Sequence, residues 1–430
     1  MKALKLVGVA LALYVLAGHS PALAQGGRNG DHWVGTWATA VVARPQGGPG
    51  NGPPPPQGRG QAPPINFNNQ TLRQVVHTSI GGDRVRVVLS NAFGTSPISV
   101  GAANVALRQK DAAIVPSSAR ALTFAGATAT TIAAGAVAIS DPVSVAVPAF
   151  ADLSIDMFLP GDTAASSSPL TTHNGALQTS YVSTTGNHTG ATELPVMTTT
   201  QAWFFLSRVE VTAPEQAGAV VVFGDSITDG ARSTPDANNR WPDYLAKRLM
   251  AQSTSNRTSM MGILNEGIAG NRVLSDGAGV SALARFDRDV LVQSGVTHVI
   301  VLEGINDLGL GGQNSPSAAD IIAGHRQLIE RAHVHGLKVL GATLLPFEGA
   351  NLAPFPGYYS PEKDARRQTV NDWIRNGKAY DGVVDFDMAL RDPSHPSQLL
   401  PQFKADDNLH LTDAGYQAMA NVVNLALLKK

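Results

Sequence analysis

The sequence predicts two architectures in series: a β-sandwich of jelly-roll type, then an open three-layer α/β/α sandwich built on five parallel strands. Three observations predict this. Residues 65–212 alternate apolar and polar side chains with period two, broken at short intervals by Gly, Pro, Asn and Ser. After Pro214, short apolar runs alternate with helical patterns, which is the rhythm of a parallel sheet covered on both faces. The chain is also 430 residues long, too many for one ordinary domain.

The elements follow in order. Lys2 and Lys5 precede an apolar run, Leu6 to Leu16, that is short for a membrane span, and Ala22-Leu23-Ala24 forms a small-x-small cleavage site. Residues 1–24 are therefore expected to be an export signal, with Gln25 as the first mature residue. Residues 25–64 form an N-terminal segment. Its stretch Arg44 to Pro64 is dominated by Gly, Pro and Gln and reads as an extended or mobile surface loop. Trp33 to Trp37 is expected to add a strand to the β-unit that follows.

Within residues 65–212, Val85, Val87 and Leu89 fall on one face of the run Asp83–Leu89. Leu153, Ile155, Met157 and Leu159 do the same in Asp152–Leu159. Such alternation predicts a sheet with one wet face. Residues 215–430 hold the second unit, with strands expected at Ala219–Phe223, Met261–Leu264, Thr297–Leu302, Leu337–Ala342 and Val383–Phe386. Ala318, Ile321, Ile322, His325, Leu328, Ile329 and Ala332 follow helical spacing between the third and fourth of these.

Composition narrows the function. Hydrophobic residues make up 43% of the chain and charged residues 15%, with a formal charge of −1, so nucleic acid is not an expected partner. There are no cysteines, which excludes a thiol nucleophile, a thiolate metal site and a lipoprotein anchor. No later run is long and apolar enough to predict stable insertion in a membrane.

Four short segments of the second unit supply the parts of one chemistry. Ser226 follows the first strand after the turn Gly224-Asp225 and opens a helix, so its hydroxyl and its unpaired N–H both face the strand end. Gly270 closes the segment after the second strand, where a glycine lets a backbone N–H approach a ligand. Asn306, after the third strand, carries an amide that can donate to a developing oxyanion. Asp407 precedes His410 by three residues, so one loop can present an acid to one ring nitrogen and leave the other for Ser226. Asp406 is a rival acid, one residue too far back. A nucleophile, oxyanion donors, a base and an acid to orient it are what ester hydrolysis by serine requires.

The blocks Gly224-Asp225-Ser226, Gly270, Gly304-Ile305-Asn306-Asp307 and Asp407 to His410, in that order, resemble the SGNH (GDSL-type) hydrolase family over residues 215–430. The resemblance implies an SGNH-type fold, a covalent acyl-enzyme, Ser226, Asp407 and His410 as catalytic residues, and an oxyanion hole of Ser226, Gly270 and Asn306. It implies neither metal nor organic cofactor. Asp225 and Asp307 are expected to fix the turns around the site. More weakly, Thr71 to His77 with Ser90 to Gly94 resembles the β-rich region that precedes the hydrolase domain in exported bacterial members often compared with carbohydrate esterases.

The expected function is an exported enzyme, periplasmic or extracellular, acting on short acyl esters, acetyl above all, of small carbohydrates or polysaccharides. The rival enzyme is a broad lipase, lysophospholipase or aryl esterase. The rival of another class is a carbohydrate-binding protein on an inactive scaffold. Other polar residues have plainer expectations. His333 and His335 sit two apart at a helix end, where i and i+4 spacing would be wanted for a metal. His298 is expected in the core, Asp385 and Asp387 at a turn or cap, and Trp33, Trp37 and Trp203 in packing rather than sugar stacking. Thr179 to Tyr181 and Gly186 to Gly190 are expected to be structural loops.

Overall fold

The structure is a computed structural model that describes residues 30–44, 66–166, 169–256, 260–350, 352 and 355–429. The expected export signal and nearly all of the Gly/Pro-rich loop lie outside these residues. The described residues from His32 onward form one compact unit.

The β-rich part contains two larger antiparallel sheets. One carries Trp33–Ala38, Leu206–Thr212, Gly82–Ser90 and Val137–Ile139 in that order, with Val143–Val147 also paired to Gly82–Ser90. Trp33–Ala38 is thus the added strand expected of it, paired antiparallel with Leu206–Thr212. The other sheet has Gln70–His77 and Asp152–Leu159 at its centre. Val85, Val87 and Val211 of the first and Val76, Leu153 and Ile155 of the second join one apolar core.

The predicted wet face is not fully wet. Ser154 and Asp156 are as buried as their apolar neighbours. Asp156 accepts a two-point ion pair from the buried Arg73, at 2.7 and 2.8 Å, and a third bond from the N–H of Gly190. Loops cover this face, and the charges survive burial because they are paired.

After Pro214 a parallel sheet forms from β1 (Gly218–Gly224), β2 (Met261–Gly267), β3 (Val296–Leu302), β4 (Lys338–Ala342) and β5 (Gly382–Val384), in the spatial order β2-β1-β3-β4-β5. The run expected as the last strand ends early. Asp385 caps a short helix, Phe386–Leu390, by accepting from the N–H of Met388, so Phe386 belongs to that helix.

The strands are apolar on both faces. In β1, Val221 and Phe223 join the core that continues into the β-sandwich, while Val220 and Val222 join a second core. That second core takes side chains from α2 (Trp241–Asn256), α4 (Pro361–Asn376) and α5 (Asp413–Val422). Helix α3 (Ala318–Val334) contributes Leu328, Ile329 and Ala332 to the first core and Ile321 to the second. The β-sandwich reaches the edge of this sheet, where Thr39 bridges to Asn265 of β2 and Ser79 Oγ accepts from the N–H of Ile263.

In an open sheet of this order the crevice for ligands lies beyond the carboxyl ends of the first and third strands. Ser226 follows β1 and Asn306 follows β3.

Candidate active site

The turn after β1 is built by local chemistry. A Cβ on Gly224 would stand 2.2 Å from Thr228 Oγ1 and 2.7 Å from the carbonyl of Leu302, so only glycine fits. Asp225 then caps the one-turn helix α1 (Ser226–Asp229), its Oδ1 accepting from the N–H of Ile227 at 2.9 Å. Ser226 is the first helical residue, where N–H groups have no acceptor within the helix.

The structure brings Ser226, His410 and Asp407 into one chain of hydrogen bonds. His410 Nε2 is 2.8 Å from Ser226 Oγ, and His410 Nδ1 is 2.7 Å from Asp407 Oδ2. With Nδ1 donating to the carboxylate, Nε2 is left as an acceptor for the serine hydroxyl. Burial opposes ionisation of Asp407, but the bond and charge of His410 and the N–H groups of His410 and Leu409 outweigh it. They hold Asp407 well below the usual carboxylate range. Asp406 is exposed and pairs with Arg232 at 3.3 Å.

Asn306 sits in the short helix Ile305–Leu310, only 2% exposed. Tyr358 donates its hydroxyl to Asn306 Oδ1 at 2.8 Å. The amide nitrogen is buried with no acceptor among the described residues. Buried donors are normally paired, and an idle amide donor at a strand end can meet the oxygen of a ligand. Gly270, three residues beyond β2, has φ of 82°, a left-handed conformation that glycine adopts without strain.

The two acids expected at the turns, Asp225 and Asp307, are both buried there. Asp307 accepts from the N–H groups of Val273 and Leu274 at 2.8 and 3.1 Å, tying the loop after β2 to the one after β3. Burial raises its pKa to about 6. Asp225 is fully buried, and burial, with the nearby Asp307 and Asp229, raises its pKa to about 7.

Sequence reading missed a buried cation at these strand ends. Arg285 is fully buried. It donates to the carbonyls of Gly224 and Glu266 at 2.9 and 2.8 Å, to Asn271 Oδ1 at 2.8 Å, and to Asp289 and Glu303. One guanidinium thus clamps the ends of β1 and β2 to the first residue beyond β3. The five-donor fork suits this, and a lysine could not span it. No motif announced Arg285, which lies in an otherwise ordinary amphipathic stretch. Tyr358 and the buried His173 were missed for the same reason.

Most of the remaining polar candidates take the places expected of them. His298 is buried in β3, where burial lowers its pKa to about 4. His333 meets Asp381 at the surface. Asp385 and Asp387 pair with Arg375, and Asp387 also with Arg367. Trp37 and Trp203 pack edge to face with centroids 4.9 Å apart, and Trp33 lies under Arg86. The loop expected over Thr179 to Tyr181 is corrected in part: Ser180 and Tyr181 begin the strand Ser180–Thr185, and only Thr179 stays outside it, donating twice to Asp236, at 2.6 Å each, which fastens it to the segment after α1. A cavity of about 30 Å³ lies near Trp37, His77, Trp203, Asp229 and Arg240, and none of Ser226, Asn306 or His410 lines it. That volume suits water better than a sugar ring.

An open α/β sheet whose strand ends hold a Ser-His-Asp relay and an idle buried amide donor has the form of a serine hydrolase. Residues 222–418 match the family described as GDSL-like Lipase/Acylhydrolase, and this part of the chain is a GDSL-like lipase/acylhydrolase domain. Among solved structures, the chain is similar to a GDSL-like lipase from Bacteroides thetaiotaomicron (19% identity, 49% of this chain and 87% of that one, TM-score 0.35). It is similar to a carbohydrate acetylesterase from Sinorhizobium meliloti (18% identity, 49% and 99%, TM-score 0.37). It is also similar to an aryl esterase from M. smegmatis (17% identity, 47% and 94%, TM-score 0.37). No curated protein matches the chain.

Proposed function

We propose that this chain is an exported serine ester hydrolase that works through an acyl-enzyme on short acyl esters, acetyl esters of carbohydrates above all. The observation that carries the chemistry is the unbroken relay from Ser226 Oγ through His410 to Asp407. Ser226 Oγ attacks the ester carbonyl as His410 Nε2 takes its proton. The charge that develops on the carbonyl oxygen falls to the N–H groups of Ser226 and Gly270 and to the amide of Asn306. His410 then gives its proton to the departing alcohol oxygen. Water, deprotonated by His410, attacks the acyl-serine, releasing the acid and restoring Ser226. Asp407 keeps the tautomer and stabilises the imidazolium throughout.

A small acyl group is supported by packing. Ile305, Phe347, Tyr358 and Leu409, apolar residues beside Asn306 and His410, are at most 1% exposed and pack on one another, with Leu310, Ala350, Leu352 and Tyr359 partly buried against them, so these four offer little surface to a long chain. A carbohydrate alcohol is supported by the resemblance of the β-rich part. Export is supported by the character of residues 1–24, and no helix among the described residues is long and apolar enough to cross a membrane.

The test is a chain-length series of chromogenic esters together with acetylated polysaccharides, with Ser226→Ala as control. Acetate should turn over fastest and acetylated polysaccharide should release acetate. Faster turnover of long acyl chains would replace this reading with a lipase, and full activity of the control would remove Ser226 as nucleophile.

A further inference from the structure

The β-rich part reaches the nucleophile turn through a pair of buried side chains. His173, on the strand Leu170–Asn174, places Nε2 3.1 Å from Asp229 Oδ1 and Nδ1 2.7 Å from the carbonyl of Ala40. His173 is 3% exposed and Asp229 is 6% exposed. A carbonyl and a carboxylate can only accept, so both ring nitrogens carry hydrogen and the pair is imidazolium against carboxylate. Burial works against that charge on His173, but the charge and hydrogen bond of Asp229 outweigh it and raise its pKa. Arg240, the other charged group that faces His173, acts in the opposite sense. The ring otherwise lies against Trp203, centroids 5.5 Å apart.

Asp229 ends the helix that Ser226 begins. Its N–H donates to the carbonyl of Asp225 at 2.9 Å, and the N–H groups of Gly230 and Ala231 both donate to the carbonyl of Ser226, at 3.0 and 2.9 Å. Residues 229–231 therefore grip the backbone of the nucleophile. They are tethered on one side by His173 and on the other by Tyr416, whose hydroxyl donates to the carbonyl of Ala231 at 2.6 Å. A single helical turn has little stability of its own, so its placement is set by such tethers. A displacement of about 1 Å at a reacting atom is enough to cost on the order of a hundredfold in rate.

We propose that His173 is a positioning residue for Ser226: through its charged contact with Asp229, the β-rich part holds the nucleophile turn within reach of His410. This rests on Ser226 being the nucleophile. It makes the β-rich part a component of the catalytic apparatus rather than an appendage.

The experiment uses the full chain with His173→Gln, Asp229→Asn and the double variant, and Ser226→Ala as control. Steady-state kinetics on p-nitrophenyl acetate are measured beside the rate of Ser226 labelling by a fluorophosphonate, on protein whose cooperative thermal unfolding shows it folded. Each single variant should lower kcat about ten- to a hundredfold with KM within about twofold, labelling should slow in parallel, and the double variant should lose no more than the worse single. Asp229→Asn keeps the volume and carries the test if His173→Gln does not fold. A folded single variant with the original kcat and labelling rate overturns the proposal, and so do losses that multiply in the double variant. If Ser226→Ala retained activity, the underlying reading would fail instead, whatever the His173 variants did.

Discussion

Tyr358 holds the carbonyl oxygen of the Asn306 side chain at 2.8 Å and so leaves the amide nitrogen buried and, among the described residues, without an acceptor. An asparagine amide can be turned either way round, and the tyrosine hydroxyl decides the question by donating to one end. Asn306→Ala should lower kcat by about 10²–10³-fold, the loss seen when one oxyanion donor is removed. Tyr358→Phe should lower it about tenfold with KM little changed, because the donor remains but is no longer held. Steady-state kinetics on an acetyl ester check both; a raised KM with kcat unchanged would point to ground-state binding instead.

The acid end of the relay gives a second expectation. Asp407 binds Nδ1 of His410 and, through its other oxygen, the N–H groups of His410 and Leu409. Asp407→Asn should keep much of this geometry but favour the wrong tautomer, lowering kcat by roughly 10³–10⁴-fold. A loss below tenfold would transfer the orienting role to another group.

Arg285 should matter to stability before it matters to rate. Arg285→Met would leave the buried Glu303 without its cation, while Asp289 keeps only Arg288, and would remove one donor each from the carbonyls of Gly224 and Glu266. Breaking a buried charge pair from one side costs about 3–5 kcal/mol. Urea unfolding followed by far-UV circular dichroism should show that loss, and an unchanged midpoint would refute the clamp.

Asp225 sets a pH dependence whose sign is fixed. Its pKa is raised from 3.8 to about 7 on folding. Between those values the folded chain binds a proton that the unfolded chain does not. This group's contribution to stability therefore falls as pH rises from about 4 to about 7, and is level above that. Asp225→Asn removes the titration while keeping the oxygen that caps Ile227. The melting temperature of the variant relative to the original should rise across this window by at least about 3 °C. A difference that stays constant with pH would show that Asp225 ionises freely.

The sequence by itself determined the architecture after Pro214, the order of the four blocks and the turn that presents Ser226. These depend on contacts within a few residues. Thr228, four residues on, leaves no room for a side chain at Gly224, Asp225 caps the helix by accepting from the N–H two residues on, and Asp407 and His410 share one loop. Tertiary structure alone decided how those parts work together. Ser226 and His410 are 184 positions apart and meet only because β1 and the last loop share one end of the sheet. The amide of Asn306 is turned by a tyrosine 52 positions away, and Arg285 gathers groups from three strand ends. His173 reaches Asp229 from the other half of the chain. Such partners leave no periodicity to read, because a buried polar side chain is specified by what surrounds it in space and by nothing beside it in sequence.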